Sequence, residues 1–259
     1  TCALPISFEP IESCGDCDMC QTGLVQNCDE RRFINQGFAE YMAVSPNRLH
    51  LLPENLSWAA AALTEPLAVA IHAAREASIH WPQNVVIIGA GIVGLMGLIV
   101  VRREGAGFIG IKARYQHQAD LAKKLGADSV FLSSKPDSES NAEAWLDGTP
   151  IDTVFETVGG QQAVQDALRI VRRGGYVSLI GLTTDQNINV PINTVVVRGI
   201  TLKGSIFYGH PKSAEASDFA LALRFLGSGV VPVDDFVTDG FSVDEAEEAF
   251  AVAAHKESG

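Results

Sequence analysis

The chain has 259 residues, of which 47% are hydrophobic and 19% are charged, so it can bury a sizeable core and is long enough for two domains. Its 31 acidic and 19 basic side chains give a formal net charge of -12, which opposes binding to nucleic-acid phosphates or anionic membranes. The longest apolar run, residues 85–101, is interrupted by glycines and predicts a strand, a turn and a helix rather than a membrane span. We therefore expect neither a nucleic-acid nor a membrane partner.

Four cysteines near the start, Cys14, Cys17, Cys20 and Cys28, have the spacing of a zinc site. Disulfides or four unrelated thiols are the alternative, but cysteines this close together pair poorly within a relaxed loop. Four thiolates complete a tetrahedral zinc shell and leave no open position, so we expect a structural zinc and not a catalytic one. Only Cys2 remains free of this cluster, which suits a reducing compartment, and we expect a cytoplasmic protein.

Short strands predicted around the cysteines indicate a β-rich first domain. They cover residues 1–10, 37–44 and 48–52. Ser57 is a candidate N-cap for an alanine-rich helix over residues 58–79. Pro66 disfavours helical geometry in the residue before it, so we expect the helix to break or restart there. Glu65 then lies at the start of the second helix among apolar residues, where a buried carboxylate needs a partner.

From residue 84 onward, strands and helices alternate. Strands are predicted at 85–88, 108–111, 129–132, 152–155, 176–180 and 201–203, and helices at 95–103, 118–125 and 161–171. Such alternation predicts an α/β fold with a doubly wound parallel sheet. Two further helices are predicted near the end of the sequence, at 214–226 and 243–255.

A glycine motif follows the first of these strands and opens the helix after it. Gly89 permits a tight turn, Gly91 lets a pyrophosphate approach the backbone, and Gly94 allows close helix packing. The backbone N–H groups of Ile92 and Val93 lie at the helix start, where they would face the anion. A glycine turn without function is the alternative, but the strand and helix context favours dinucleotide binding.

The end of the second strand selects between the two nicotinamide dinucleotides. An acidic residue there would bind the ribose hydroxyls of NAD, whereas this chain carries Lys112 and Arg114. Two cations favour a 2'-phosphate and predict a preference for NADP(H) over NAD(H). The alternative is that both are exposed charges with no ligand.

Together, these motifs resemble those of the zinc-dependent medium-chain alcohol dehydrogenases, and most of all the sorbitol and threonine dehydrogenase branch. The resemblance rests on the order of the cysteine loop, the segment ALTEPLAVAIHA at 62–73, the glycine motif and FETVGG at 155–160. It implies a Rossmann sheet plus part of a β-rich GroES-like catalytic domain. The implied division is a catalytic remnant with the zinc lobe at 1–68, a cofactor domain at 69–208, and helices returning to the catalytic domain at 209–259.

The same resemblance assigns roles to individual residues. It implies that Glu65 lies at a catalytic zinc, as a ligand or through water; a carboxylate that caps a helix is the alternative. The nicotinamide ring would be lined by Val69, Val158, Gly159, Gly160 and Gly181. The implied activity is hydride transfer between a nicotinamide cofactor and a secondary alcohol or polyol, or its ketone. Relatives form dimers or tetramers through the sheet edge of the cofactor domain, so a homodimer or homotetramer is expected.

One departure from the family pattern limits this expectation. In the family, the catalytic zinc also takes a cysteine and a His-Glu pair that precede the four-cysteine loop, and only thirteen residues precede Cys14. We therefore expect an internal part of a dehydrogenase that binds cofactor better than it turns over substrate. Two alternatives remain: a noncatalytic dinucleotide-binding module, and a zinc-independent quinone or enone reductase of the same superfamily.

Overall fold

The structure, a computed structural model, describes residues 5–34, 37–133, 144–183, 187–209 and 217–255. The backbone forms two compact units, residues 1–69 with 207–259 as the first and residues 70–206 as the second. Among the described helices, none combines the length and apolar character that a bilayer span requires.

The elements alternate between strand and helix through most of the second unit. The strands are β1 (Ile6–Phe8), β2 (Ile11–Glu12), β3 (Arg32–Phe33), β4 (Leu49–Leu51), β5 (Asn84–Ile88), β6 (Phe108–Ala113), β7 (Ser129–Leu132), β8 (Ile151–Glu156), β9 (Val171–Leu179) and β10 (Thr201–Gly204). The helices are α1 (Asp18–Gln21), α2 (Trp58–Ala62), α3 (Thr64–Glu76), α4 (Ile92–Arg103), α5 (Gln116–Lys124), α6 (Gln161–Ile170), α7 (Ile192–Arg198), α8 (Asp218–Gly227) and α9 (Ala246–Ala254).

The first unit is built from short elements. β1 pairs antiparallel with β4, and β2 pairs antiparallel with β3. The Ser57 hydroxyl accepts the Ala60 N–H at 3.1 Å, which confirms the N-cap. The predicted break is also confirmed, because α2 ends at Ala62 and α3 begins at Thr64, with Glu65 in its first turn.

The strand predicted at 37–44 is wrong, because the structure places no strand there. Phe38 and Tyr41, its large apolar residues, are 75% and 82% exposed. Alternation of apolar and polar residues specifies a strand only where a neighbouring strand and a core cover one face, and this segment has neither.

The second unit contains a parallel sheet of six described strands in the order β10-β9-β8-β5-β6-β7. This confirms the predicted α/β doubly wound fold, with three strands on each side of the β5–β8 boundary. Residues 85–88 of β5 are buried because helices cover both faces of such a sheet. The carboxyl ends of β5 and β8 lie side by side where the strand order reverses, the usual ligand position in open α/β sheets.

Two differences in strand bounds affect the interpretation of the site. β6 continues to Ala113, so Lys112 lies inside the strand and not beyond its end. β9 begins at Val171, five residues earlier than predicted, directly after α6. The helix predicted at 214–226 lies partly outside the described residues; within them, α8 begins at Asp218 after a Ser217 cap.

Candidate functional site

The four cysteine sulfurs of the first unit converge on one point. All four Sγ atoms lie within 4.8 Å of one another. The Sγ atom of Cys14 is 3.9 Å from that of Cys20 and 3.6 Å from that of Cys28, and the Cys17 and Cys20 sulfurs are 3.6 Å apart. A zinc at about 2.3 Å from each sulfur in a tetrahedron would separate the sulfurs by about 3.8 Å. The cluster therefore has the dimensions of a zinc shell and is far too wide for a disulfide.

Backbone N–H groups and burial shift the pKa values of two thiols of this cluster in opposite directions. The N–H groups of Cys17 and Asp16 lower the pKa of the Cys14 thiol to about 7, whereas burial raises that of Cys20 to about 11. The Cys28 sulfur accepts the N–H of Cys14 at 3.4 Å. Since metal ligation needs thiolates, zinc binding here would release protons, chiefly from thiols such as Cys20 whose raised pKa keeps them protonated at neutral pH.

The glycine turn after β5 has the geometry of a dinucleotide loop. Gly89 has φ +105°, a backbone conformation that L side chains rarely adopt. A Cβ added to Gly94 would lie 1.9 Å from the Gly89 carbonyl oxygen, so the helix packs directly on the turn. At Gly91 such a Cβ would have no described atom within 4 Å, which leaves open space beside the backbone.

The start of α4 offers backbone donors to a ligand. Gly91 is the N-cap and supplies no side-chain hydrogen bond to the first turn. Ile92 is 40% exposed and Val93 is partly exposed. The first N–H groups of a helix have no partner inside the helix and carry partial positive charge, so they attract an anion.

Lys112, predicted to bind the 2'-phosphate, is engaged by a carboxylate in the structure. Its ammonium lies 2.7 Å from Oδ2 of Asp166, a carboxylate on α6 whose side chain is 3% exposed, and 5.7 Å from the Phe131 ring centroid. Asp166 also pairs with Arg169 at 3.1 Å, so two cations offset the cost of burying its charge. Arg114 is exposed beyond the end of β6, with its guanidinium 5.4 Å from the Tyr115 ring centroid. Of the two predicted cations, Arg114 is therefore the one that has no carboxylate partner among the described residues.

The loop after β8 is held by a carboxylate that the sequence analysis did not single out. Glu156 is 1% exposed, and its Oε1 accepts the N–H groups of Val158 at 2.6 Å and Gly159 at 2.8 Å. Burial raises the pKa of this carboxyl group, and the two N–H donors partly oppose that effect. An acidic residue at the end of a buried strand, just before TVGG, was the available sequence signal.

The same loop contacts its neighbours on both sides. The Thr157 hydroxyl donates to the Ile88 carbonyl at 2.9 Å, joining the ends of β8 and β5. A Cβ on Gly159 would lie 2.3 Å from the Leu182 carbonyl oxygen, and one on Gly181 would lie 2.2 Å from the Gly159 nitrogen. The predicted ring-lining glycines at 159 and 181 are thus brought into backbone contact. At Gly160 an added Cβ would meet no described atom within 4 Å, and Val158 is 55% exposed.

Glu65 is a half-buried carboxylate in the first turn of α3. Burial raises its pKa, and within the described residues no ion pair or hydrogen bond engages it. Val69 follows on the same helix and is partly exposed. The four cysteines are the one group of three or more metal-binding side chains in the described ranges, so these residues do not by themselves form a second, catalytic metal site around Glu65.

Comparison with known proteins agrees with this geometry. Residues 93–226, just over half of the chain, match the family model described as zinc-binding dehydrogenase. The chain belongs to this family. The zinc-binding dehydrogenases use zinc and a nicotinamide cofactor on small molecules, which makes this chain an oxidoreductase of the medium-chain alcohol dehydrogenase type.

Two relatives place this dehydrogenase in the sorbitol dehydrogenase-like branch, and a solved structure of a zinc-binding dehydrogenase shares its fold. It is 29% identical to sorbitol dehydrogenase of Bacillus subtilis, over 94% of this chain and 69% of that protein. It is 31% identical to L-idonate 5-dehydrogenase of Vitis vinifera, over 96% of this chain and 69% of that protein. A structure from Sinorhizobium meliloti, described as a zinc-binding dehydrogenase bound to NADP, superposes with a TM-score of 0.84 at 27% identity, over 95% of this chain and 72% of that chain.

Proposed function

We propose that the second unit of this dehydrogenase binds the dinucleotide at the carboxyl ends of β5 and β8. The observation that carries this proposal is the glycine turn, in which Gly94 is packed to contact while Gly91 leaves the backbone open to a ligand. The pyrophosphate would lie on Gly89, Gly91, Ile92, Val93 and Gly94. The nicotinamide ring would lie on Val158, Gly159, Gly160 and Gly181, with Val69 against it.

The substrate class we propose is a secondary alcohol or polyol, or the corresponding ketone. The names of the relatives support it, since sorbitol and L-idonate dehydrogenases both act on polyhydroxylated carbon chains. A bound nicotinamide supplies the acceptor for a hydride that leaves the alcohol carbon, while the alcohol oxygen loses a proton. The residues of this chain would orient the ring, because the backbone contact between Gly159 and Gly181 fixes the surface on which it rests.

The metal roles that we propose differ between the two sites. Cys14, Cys17, Cys20 and Cys28 hold a structural zinc, as their sulfur separations fit it. Glu65 lies at the catalytic zinc, directly or through water, because a half-buried carboxylate that has no hydrogen-bond or ion-pair partner among the described residues suits a cation. Substitution of Glu65 by Gln in the active dehydrogenase should lower kcat and leave cofactor affinity unchanged. An unchanged kcat would remove Glu65 from this role.

Arg114 is the residue that we propose for the 2'-phosphate of NADP, and Lys112 is its natural control. The NADP bound to the S. meliloti relative supports the preference. Arg114→Ala should weaken NADP binding about tenfold or more, the loss expected for a charge-assisted hydrogen bond, and leave NAD binding nearly unchanged. Lys112→Met should leave the ratio of NADP to NAD affinities unchanged, because its ammonium is engaged by Asp166.

Isothermal titration of the chain with NADP and NAD tests both points. No binding of either dinucleotide would overturn the proposed site. Equal affinities in the unsubstituted chain, or a ratio that falls with Lys112→Met and not with Arg114→Ala, would overturn the proposed role of Arg114 alone.

We also propose that the protein is a cytoplasmic homodimer or homotetramer. Within the second unit, β10 ends the described sheet, and α7 beside it exposes Ile192, Val196 and Val197 at 59%, 72% and 71%. An apolar surface next to a sheet edge is a common site of association. Val196→Lys should reduce the mass measured by light scattering to that of one chain; an oligomer that persists would place the interface elsewhere.

The proposed cytoplasmic location is supported by the cluster of unbridged cysteines, which suits a reducing compartment. Cell fractionation tests this location.

A further inference from the structure

Glu156 places a buried negative charge directly under the loop at the end of β8. Its side chain is almost fully covered, and both measured hydrogen bonds to its Oε1 come from neutral backbone N–H groups, those of Val158 and Gly159. Among the described residues no cation is paired with it. Two N–H donors hold a carboxylate in place but do not cancel its charge, whose field is weakly screened inside a protein.

The charge also cannot move away from the loop. The backbone carbonyl oxygen of Glu156 accepts the N–H groups of Ile180 at 2.8 Å and Gly181 at 2.9 Å, so the backbone of Glu156 is bound to the chain at the end of β9. Thr157 ties the next residue to the carbonyl of Ile88 on β5. The backbone at Glu156 and Thr157 is thus held by the ends of two neighbouring strands, and the Glu156 carboxylate is held by two N–H groups of the loop. The position of the charge relative to residues 158 and 159 is therefore fixed.

A nicotinamide ring carries a positive charge when it is oxidised and none when it is reduced. Fixed charges close to a cofactor ring therefore tune the relative stability of its two redox forms. We propose that Glu156 is a positioning residue whose fixed charge favours binding of the oxidised dinucleotide over the reduced one. This inference rests on the proposed function, in which residues 158–160 line the ring.

The consequence concerns the balance of the bound reactants. Alcohol and oxidised cofactor stand on one side, and ketone, reduced cofactor and a released proton stand on the other. A negative charge that stabilises the cationic ring favours the first side, so Glu156 would bias the bound equilibrium toward the alcohol and tighten the hold on the form of the cofactor that starts alcohol oxidation.

Two substitutions separate the charge of Glu156 from its hydrogen bonds. Glu156→Gln keeps a carbonyl oxygen that can accept both N–H groups and removes the charge. Glu156→Asp keeps the charge on a shorter side chain. Asp152→Asn is a matched control, because it removes a carboxylate from the opposite end of the same strand, where Asp152 accepts the Asn84 N–H at 2.7 Å.

The measurement is the ratio of dissociation constants of oxidised and reduced NADP, from isothermal titration of chains whose thermal unfolding shows that they are folded. Glu156→Gln should raise this ratio about tenfold, or about 1.4 kcal/mol, the order expected for one unit charge acting across a single loop at an effective permittivity of about 20. Glu156→Asp and Asp152→Asn should leave the ratio within about twofold of the unsubstituted value, a difference of less than 0.5 kcal/mol on the same scale.

The outcomes distinguish this inference from the proposed function. Binding of both forms with a ratio that Glu156→Gln leaves unchanged would overturn the inference and leave the dinucleotide site intact. A tenfold change in Glu156→Asp would also overturn it, because that variant keeps the charge. Failure of the unsubstituted chain to bind either form would overturn the proposed function, and this inference with it.

Discussion

Gly94→Ala is the substitution that tests the dinucleotide turn most directly. The added methyl carbon would lie 1.9 Å from the carbonyl oxygen of Gly89 and 3.0 Å from its carbonyl carbon. Both atoms belong to backbone, so no side-chain rotation relieves the contact. The start of α4 and the turn before it must move apart by about 1 Å to restore van der Waals distance.

The size of the effect follows from that displacement. Overpacking of this kind costs typically about 1–3 kcal/mol of unfolding free energy. A shift of about 1 Å also misaligns the helix N–H groups from the pyrophosphate, and we expect cofactor affinity to fall at least about tenfold, since hydrogen bonds to charged groups contribute about 1.5–3 kcal/mol.

Gly97 is the matched control, since it lies on the same helix and undergoes the same chemical change. An added Cβ there would meet Phe155 Cδ2 at 3.7 Å and Ile87 Cδ1 at 3.8 Å, which are ordinary contacts. Alanine is favoured over glycine inside a helix by about 1 kcal/mol. Gly97→Ala should therefore raise the unfolding free energy slightly and leave cofactor affinity unchanged.

Urea unfolding and isothermal titration with NADP check both variants. The two variants should differ by about 2–4 kcal/mol in unfolding free energy, which adds the overpacking cost at Gly94 to the helix-propensity gain at Gly97. Their dissociation constants for NADP should differ by at least about tenfold. Equal stability and equal affinity in the two variants would refute the role assigned to the close approach at Gly94.

Three further predictions concern other parts of the chain. Cys28→Ser should reduce bound zinc from about one per chain to none in a metal assay and unfold the cysteine lobe, since structural zinc contributes to folding directly; a zinc content that persists would contradict the four-cysteine shell. Asp166→Asn should lower the unfolding free energy by about 3 kcal/mol, because it leaves the Lys112 ammonium partly buried without its partner; urea unfolding with no change would show that Lys112 finds solvent. Glu156→Gln should raise the unfolding free energy at neutral pH, and this gain should disappear in acid. Because burial raises the pKa of Glu156 in the folded state, its carboxyl group stabilises the fold fully below its unfolded pKa, and this contribution is lost as the pH rises through the folded pKa. Chemical unfolding at several pH values measures this, and a gain that grows toward acid would contradict the sign.

The strands and helices around the parallel sheet could be predicted because short stretches of sequence specify them. A run such as residues 85–88, buried on both faces, together with the glycine turn that follows, specifies strand, turn and helix without reference to distant residues. The convergence of the four cysteine sulfurs was predictable for the same reason, as their spacing keeps them within one loop. The break before Pro66 follows from the steric demands of that residue on its neighbour.

The features that the sequence did not reveal depend on contacts that form only in the folded chain. The pairing of Lys112 with Asp166 could not be read from the sequence, because Asp166 belongs to a different strand-helix unit that only the fold brings next to the ammonium. The sequence marks Glu156 only as an acidic residue at the end of a buried strand, and its two N–H partners become evident only when the loop turns back onto it. The segment 37–44 has the composition of a strand but acquires no partner, and strand formation depends on pairing more than on composition.

The cysteine lobe has a consequence for the order in which this chain folds. Its ligands are contributed by a stretch that ends at Cys28, so a metal ion can close the loop as soon as that short segment leaves the ribosome. The sheet must wait much longer, because β5 pairs with β8 through partners such as Val85 and Thr153, and every strand pair in it is parallel. If these cysteines bind zinc as proposed, metal capture would be an early, local event in biogenesis, and the proposed nucleotide site, assembled from the ends of distant strands, would form later.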